Sequence, residues 1–441
     1  MHVVIRSSHS YFDMPSTLLD LPTELIEGIL HDLLSAKRDV SALRLTCRAL
    51  RDRSSRSFKH TFFIQRIVRL QLSSLEHLFA ITQHEEFGPA LQDLVVRAEL
   101  HDPRHSQAVL AQDNASDAQR RRAISRIELF ARKRRDYQHL QNFKLGERLL
   151  VSAFRKLTKL RSLTLQYAEY DDEDTPKPMR FKEGCYPDEA KLGISESAFI
   201  TVMAALATAP LPVERLQVYR RHWGGAVTLH GLALSLYMED GLKQALAGVR
   251  QLRLCVSTRF GSYDPQGFPG TLWWPARFLS LSPNLRELDL SLWVESAGVQ
   301  CQSHWETLGI FRSIAELDFP NLEKCRLARM TVSERDVRQL LAHSSATLKD
   351  LEMSHMYIRG GSWSSLLWYL AEELELKLKL ESLRLWRVHE ITASPPRCDA
   401  NGYSVKFEGE GARRKILDFA EICCFHKADE PEADDESGAD V

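Results

Sequence analysis

Net charge is almost absent from this 441-residue chain: 58 Lys and Arg stand against 59 Asp and Glu, leaving -1. No overall field therefore draws it toward nucleic acid or an anionic membrane. Long apolar runs are missing too. The longest uncharged windows, residues 197–213 and 222–238, hold 17 residues each, the first interrupted by prolines and the second by glycines and histidines. Both fall short of the roughly 20 apolar residues a membrane-spanning helix needs. The opening "MHVVIRSSHSYFDMP" carries no apolar stretch of the signal-peptide kind. A soluble protein without membrane partners is expected. The eight cysteines are Cys47, Cys185, Cys255, Cys301, Cys325, Cys398, Cys423 and Cys424. Scattered and without a CxxC pair, they fit reduced thiols of an intracellular protein rather than a disulfide framework.

Recognisable catalytic signatures are also missing. "GISES" from Gly193 lacks the closing glycine of G-x-S-x-G, and "GEGARR" from Gly409 lacks the third glycine of a dinucleotide loop. Neither a phosphate-cradling G-x-x-x-x-G-K-[ST] nor an H-E-x-x-H helix occurs. Cys423, Cys424 and His426 with Cys398 sketch a zinc site, but adjacent cysteines rarely reach tetrahedral ligation and no second pair has suitable spacing. The acidic "EYDDED" at 169–174 lacks the glycine turns of a cation loop. The expectation is no catalytic residue, no metal and no cofactor.

What is there is leucine in two patterns. The first is "LPTELIEGILHDLLSAKRDVSALRLTCRALRDR". Leu21, Leu25, Ile29 and Leu33 recur every four residues beside Ile26 and Leu30, a wide apolar stripe on one helix, and Pro22 suits its first turn. "SAKRD" breaks the stripe, Asp39 is placed to cap a second short helix, and "CRALRDRSSRSF" reads as a third. Three short helices cannot bury so many Leu and Ile side chains among themselves. The surplus must cover something else: another protein, or the rest of this chain if the unit is an N-terminal cap.

The second pattern is an L-x-x-L-x-L phrase starting at Leu91, Leu160, Val213, Val249, Leu285, Leu322, Leu348 and Leu380. Successive intervals are 69, 53, 36, 36, 37, 26 and 32 residues. Helical segments lie between, among them "SERDVRQLLAHS", where Ser333 and Asp336 form a near capping box. A short strand backed by one helix cannot cover its own apolar face, whereas stacked copies share a continuous core. The fold class expected is α/β: an N-terminal three-helix unit, then an irregular leucine-rich-repeat-like α/β solenoid. The organisation expected is a polar lead at 1–17, the helical unit at 18–60 and a repeat domain at 61–395 with an insertion at 101–150. A C-terminal segment at 396–426 and an acidic, disordered tail at 427–441 follow. The insertion holds eight basic residues between Arg120 and Arg135. On a helix, Ile124, Ile127 and Phe130 fall on one side and most arginines on the other. That run reads as a surface helix, an import signal or a patch for an anionic partner.

The helical unit resembles the F-box. Leu21, Pro22, Glu24, Leu25, Ile29 and Leu30 match its opening, and Val40, Leu43, Leu45, Cys47 and Arg48 match its closing turn; Leu50 stands where the family commonly has Trp. The segment that follows, "FKHTFFIQRIVRLQLSSLEHLFAITQHEEFGPALQDLVV", is similar to fungal F-box proteins with leucine-rich-like repeats. The resemblance implies a substrate-receptor subunit of a Skp/cullin/F-box ubiquitin ligase, non-enzymatic and located in cytoplasm or nucleus. It further implies that Leu21, Pro22, Leu25, Ile29, Leu30, Leu43, Leu45, Cys47 and Leu50 meet a Skp-type adaptor and, through it, a cullin. A protein substrate, whose identity the sequence does not reveal, would lie on the repeats; nucleic acid is not an expected partner. A repeat scaffold outside ubiquitination is the alternative.

Strand side chains alternate between faces, so the residue inside each L-x-L points away from the buried leucines. These are Thr164, Gln217, Arg253, Asp289, Arg326, Glu352 and Arg384, with Tyr219 and Trp386 two positions further along their strands. Arg and aromatics often dominate interface energies. Arg253, Asp289, Arg326, Glu352, Arg384 and Trp386 are therefore the candidate substrate contacts; an ordinary solvated sheet face is the plain reading of the same residues.

Overall fold

The computed structural model describes residues 21–32, 37–101, 104–170, 189–219, 225–258, 272–293, 300–372, 380–391, 403–408, 414–416 and 419. The polar lead, the Cys398, Cys423, Cys424 and His426 set, Asp171 to Asp174 of the acidic loop and the tail at 427–441 lie outside the described residues.

The chain begins with α1 (Thr23–Asp32), α2 (Lys37–Thr46), α3 (Arg48–Arg53) and α4 (Ser55–Phe62). Pro22 immediately precedes α1, and its carbonyl accepts from the N–H groups of Leu25 at 3.1 Å and Ile26 at 3.2 Å. The residue without an N–H thus sits where none is required. Where the sequence predicts three helices, four form. The third is divided at Ser54, which is fully buried and donates its hydroxyl to the Arg51 carbonyl at 3.2 Å. A serine bonding back to its own turn competes with the helical ladder, which is the physical reason for the break. Helix α2 starts at Lys37, so Asp39 falls within its first turn instead of capping it.

A first stretch of alternating elements follows: β1 (Gln65–Arg69), α5 (Leu72–Gln83), β2 (Asp93–His101), α6 (Arg104–Leu110), α7 (Asp117–Asn142), α8 (Leu145–Phe154) and β3 (Ser162–Tyr170). Next come α9 (Glu189–Thr208), β4 (Arg215–Val218), β5 (Val227–Thr228), α10 (Leu229–Leu236), α11 (Glu239–Leu246), β6 (Gln251–Ser257), α12 (Trp274–Ser280) and β7 (Glu287–Trp293). The remainder is α13 (Gln300–Ala315), β8 (Lys324–Ala328), β9 (Thr331–Val332), α14 (Glu334–Ser344), β10 (Asp350–Ser354), β11 (Tyr357–Arg359), α15 (Trp363–Glu372), β12 (Ser382–Ile391) and β13 (Tyr403–Glu408).

The strands make one large, mostly parallel sheet in the order β1-β2-β3-β4-β6-β7-β8-β10-β12-β11-β9, with β5 beside β6 and β13 antiparallel to β12. Every L-x-x-L-x-L phrase supplies one strand, and consecutive phrases are neighbours. The pairing is in strict register: Leu94, Leu163, Leu216, Leu252, Leu288, Cys325, Leu351 and Leu383 form one row across the sheet. Each is at most 2% exposed, and the row two residues further on, Val96 to Leu385, is equally buried.

One backbone contact repeats at each step. The carbonyl of the phrase's second residue accepts two consecutive N–H groups from the next phrase: Arg161 and Ser162 on Gln92, Arg250 and Gln251 on Glu214, Arg286 and Glu287 on Arg250, Lys349 and Asp350 on Glu323, all within 2.8–3.1 Å. Helices cover the leucine side of the sheet, contributing the fully buried Phe199, Phe278, Phe311 and Trp363. Ser333 caps α14 by accepting from Asp336 N–H at 3.1 Å; the Asp336 carboxylate is buried and faces Arg312 at 3.6 Å, so only half of the expected capping box is built.

Helix α7 carries the basic run. Ala123, Phe130 and Leu140 are its buried residues, whereas Ile124 is 48% exposed. At 100° per residue Ile124 lies about 120° from Phe130, so the seven-residue spacing of Ala123, Phe130 and Tyr137, not the Ile124, Ile127 and Phe130 set, defines the inner face.

The close-packed leucine rows make a specific demand. Leu290→Ala should lower unfolding stability by about 2–5 kcal/mol, seen as a lower urea midpoint at unchanged slope; a loss below about 1 kcal/mol would contradict this packing.

Candidate functional site

The N-terminal helices enclose a small core of Ile26, Leu30 and Leu50, with Leu21, Leu43, Cys47, Phe58 and Phe62 packed against it. The sequence-predicted contact residues therefore separate into two groups. Leu30 at 0% and Leu50 at 7% exposure belong to the interior and present no surface; Leu21, Leu43 and Cys47 are half-buried against that interior. Pro22 is exposed, and Leu25, Ile29 and Leu45 stand at 56%, 41% and 87% exposure. The physical reason is capacity: these short helices bury three apolar side chains, and Leu25, Ile29 and Leu45 face outward. Arg53 ties the unit together by donating to the Leu21 carbonyl at 2.8 Å, and the Arg44 guanidinium lies 4.0 Å from the Phe58 ring centre.

Aromatic rings couple this unit to the sheet. Phe63 stacks on Phe87 at 4.1 Å, His84 stacks on the same ring at 4.0 Å, and Phe58 meets it edge-on at 6.1 Å. Lys59 pairs with Glu86 at 3.2 Å. Gly88 follows Phe87 closely against the backbone: a Cβ there would stand 2.8 Å from the Thr82 carbonyl oxygen, so only glycine brings the ring to this place.

The second surface is the open face of the sheet. Thr164, Gln217, Arg253, Asp289, Arg326, Glu352 and Arg384 are successive register partners, one per strand from β3 to β12, and Lys406 of β13 continues the row. All five charged candidates of the sequence reading share this line. Their signs alternate, and neighbours pair: Arg253 Nε with Asp289 at 3.3 Å, Arg326 Nε with Glu352 at 3.4 Å, Arg384 with Glu408 at 3.0 Å. Lys406 and Arg384 hold the Glu408 carboxyl below the usual carboxylate range. Opposite charges facing each other across strands, as Arg253 and Asp289 or Arg326 and Glu352 do, contribute about 0.2–1 kcal/mol per pair.

Trp386 stands one row further along, 54% exposed, in register with Ser354. The same row contains Cys255, Ser291, Ala328 and Ser354, each at most 4% exposed. Ser291 was missed in the sequence, although it lies two residues beyond Asp289, the same stride that singles out Tyr219 and Trp386. Tyr219 is buried, with a left-handed backbone at φ 56°, and donates its hydroxyl to the Ser195 carbonyl. Burial, then the nearby Tyr137 and Glu196, push its hydroxyl pKa well above normal, so it acts as a neutral ring.

Other polar clusters have structural uses. Glu196 accepts from Thr228 and contacts His230 Nδ1 at 2.8 Å, and Thr228 in turn caps α10 by accepting from Gly231 N–H at 2.9 Å. Among the described residues no group of three His, Cys, Asp or Glu side chains could hold a metal ion, and no helix is long and apolar enough to cross a membrane. Neither a known family model nor a curated protein sequence matches this chain.

Cys325 occupies a leucine position in the buried row beneath the charged one. Burial, and secondarily the Asp289 charge, push its thiol up to about 12. At pH 8 only about one such thiol in ten thousand is ionised. Iodoacetamide labelling of the native chain, read by mass spectrometry, should modify the half-buried Cys47 at least about 100-fold faster than Cys325; comparable rates would mean that this row opens readily.

Proposed function

We propose that this chain is the substrate-receptor subunit of a Skp/cullin/F-box ubiquitin ligase. In this reading α1–α4 are the F-box, the phrases that follow are an irregular leucine-rich-repeat-like solenoid, and the protein substrate is carried on the open sheet face. The observation that supports it best is the division of the N-terminal apolar residues. Ile26, Leu30 and Leu50 already fill the interior, and Pro22, Leu25, Ile29 and Leu45 remain exposed.

Leaving three large side chains in solvent is costly at about 25 cal/mol per Å² of apolar area. An adaptor helix pair covering them within a standard interface of about 1,600 Å² recovers that energy. Cap packing on this chain's own repeats is the weaker account, because the described repeats leave these residues uncovered. The receptor needs no reactive group, since ubiquitin arrives on a thioester carried by another subunit and the receptor contributes proximity. The cation- and aromatic-bearing sheet face supplies a protein-binding surface of the composition that interfaces favour.

The test is association of the full chain with a purified Skp-type adaptor by calorimetry. Leu25→Asp with Ile29→Asp should weaken binding at least tenfold while circular dichroism and thermal midpoint stay unchanged, because both positions are exposed. Undiminished affinity, or no binding by the unaltered chain, would overturn the assignment.

A further inference from the structure

We infer that the open face of the sheet contains a trench for an acidic polyproline-II segment of a partner protein, gripped by Arg253, Arg326 and Arg384 and floored by Ser291. This names a substrate class for the receptor reading and in that respect rests on it.

The trench follows from two rows in register. Its floor is the small-residue row Cys255, Ser291, Ala328 and Ser354, and its wall is the charged row beside it. A cavity of about 200 Å³ lies between them, lined by Tyr219, Arg253, Asp289, Ser291, Arg326 and Ser354 among others. Trp386 ends the floor row at β12. The Ser291 side chain is 4% exposed and lines this cavity.

Spacing selects the ligand's conformation. The three arginines lie on β6, β8 and β12, each two strand steps from the next. At 4.7–4.9 Å per step they recur about every 9.4–9.8 Å. A polyproline-II chain repeats its side chains every three residues, at about 9.3 Å. An α-helix returns to the same face after seven residues, about 10.5 Å, and drifts by about 2 Å over two repeats. A β-strand, at about 6.8 Å between like-facing residues, misses the second arginine altogether. Only the polyproline-II repeat keeps step.

Charge selects the side chains. Arg253 and Arg326 pair with Asp289 and Glu352 through Nε at 3.3 and 3.4 Å. Arg384 donates Nη2 to Glu408 at 3.0 Å; a guanidinium carries five donors, so each of the three pairs leaves further N–H groups for a carboxylate. Carboxylates three residues apart would face the arginines, and the gaps between them would face Asp289 and Glu352. The backbone completes the match: a polyproline-II segment keeps its carbonyls free of internal hydrogen bonds, which offers Ser291 an acceptor, and Trp386 presents an aromatic face of the type proline rings pack against.

The experiment measures fluorescence anisotropy of labelled synthetic peptides with the full chain at low salt. The probes are three Glu-Pro-Pro triplets in tandem, an isomer of the same composition with all three acids adjacent, and three Lys-Pro-Pro triplets. The spaced acidic peptide should bind at least tenfold more tightly than either control, and Arg326→Gln and Ser291→Leu should each reduce that binding at least tenfold. Arg326 is exposed, so its substitution leaves folding intact and serves if Ser291→Leu does not fold. Equal binding of the clustered isomer, preference for the basic peptide, no binding at all, or indifference to Arg326→Gln would overturn the trench assignment. The assay contains no adaptor, so its failure leaves adaptor docking standing, and a failed adaptor test leaves the peptide result interpretable.

Discussion

The structure depends on one repeated step: a buried leucine pair on each strand and, just ahead of it, a carbonyl that receives two consecutive N–H groups from the next strand. The contact from Gln92 to Arg161 and Ser162 recurs through Glu214, Arg250, Arg286 and Glu323 to Lys349. Parallel strands cannot be joined by tight turns, so each step spends a helix on the return path. That helix then covers the leucines that made the step. Local pairing and long-range core formation are the same event, as expected of stacked units.

Because side chains alternate along a strand, fixing the leucines also fixes what lies on the opposite face. Arg253, Asp289, Arg326, Glu352 and Arg384 come from phrases 26 to 37 residues apart, yet share one line. Their alternating signs give the register a second, electrostatic preference, since a slip by one strand would set like charges opposite each other. The open face is thus both a consequence of the core and a modest guard on its alignment.

Much of this was legible in the sequence. All eight phrases are strands in their written order, and the residue inside each L-x-L does point away from the core. The ion pairs between those residues were not legible, because they need the register as well as the composition. Short pieces also escaped: β5, β9 and β11 hold only two or three residues each and carry no periodic signal. They extend the sheet beyond left-handed residues such as Arg329 and His355, at φ 59° and 54°, conformations that non-glycine sequences do not advertise. Ser54 and Ile124 failed for related reasons: one hydroxyl and one helical angle outweighed the apolar pattern around them. At the N-terminus, spacing marked the apolar stripe but could not say which members would be consumed inside it; Ile26 and Leu30 were, while Leu25 and Ile29 were not.

The aromatic stack of Phe63, His84 and Phe87 has a geometric consequence. It clamps the N-terminal helices beside β1, at one end of a sheet whose steps are uniform. Ser291 lies five steps away and Trp386 eight, or about 24 Å and 38 Å along the sheet at 4.8 Å per step. The molecule is in this sense a ruler. A molecule bound near Trp386 would lie at a fixed stand-off from the N-terminal helices, set by the number of strands between them.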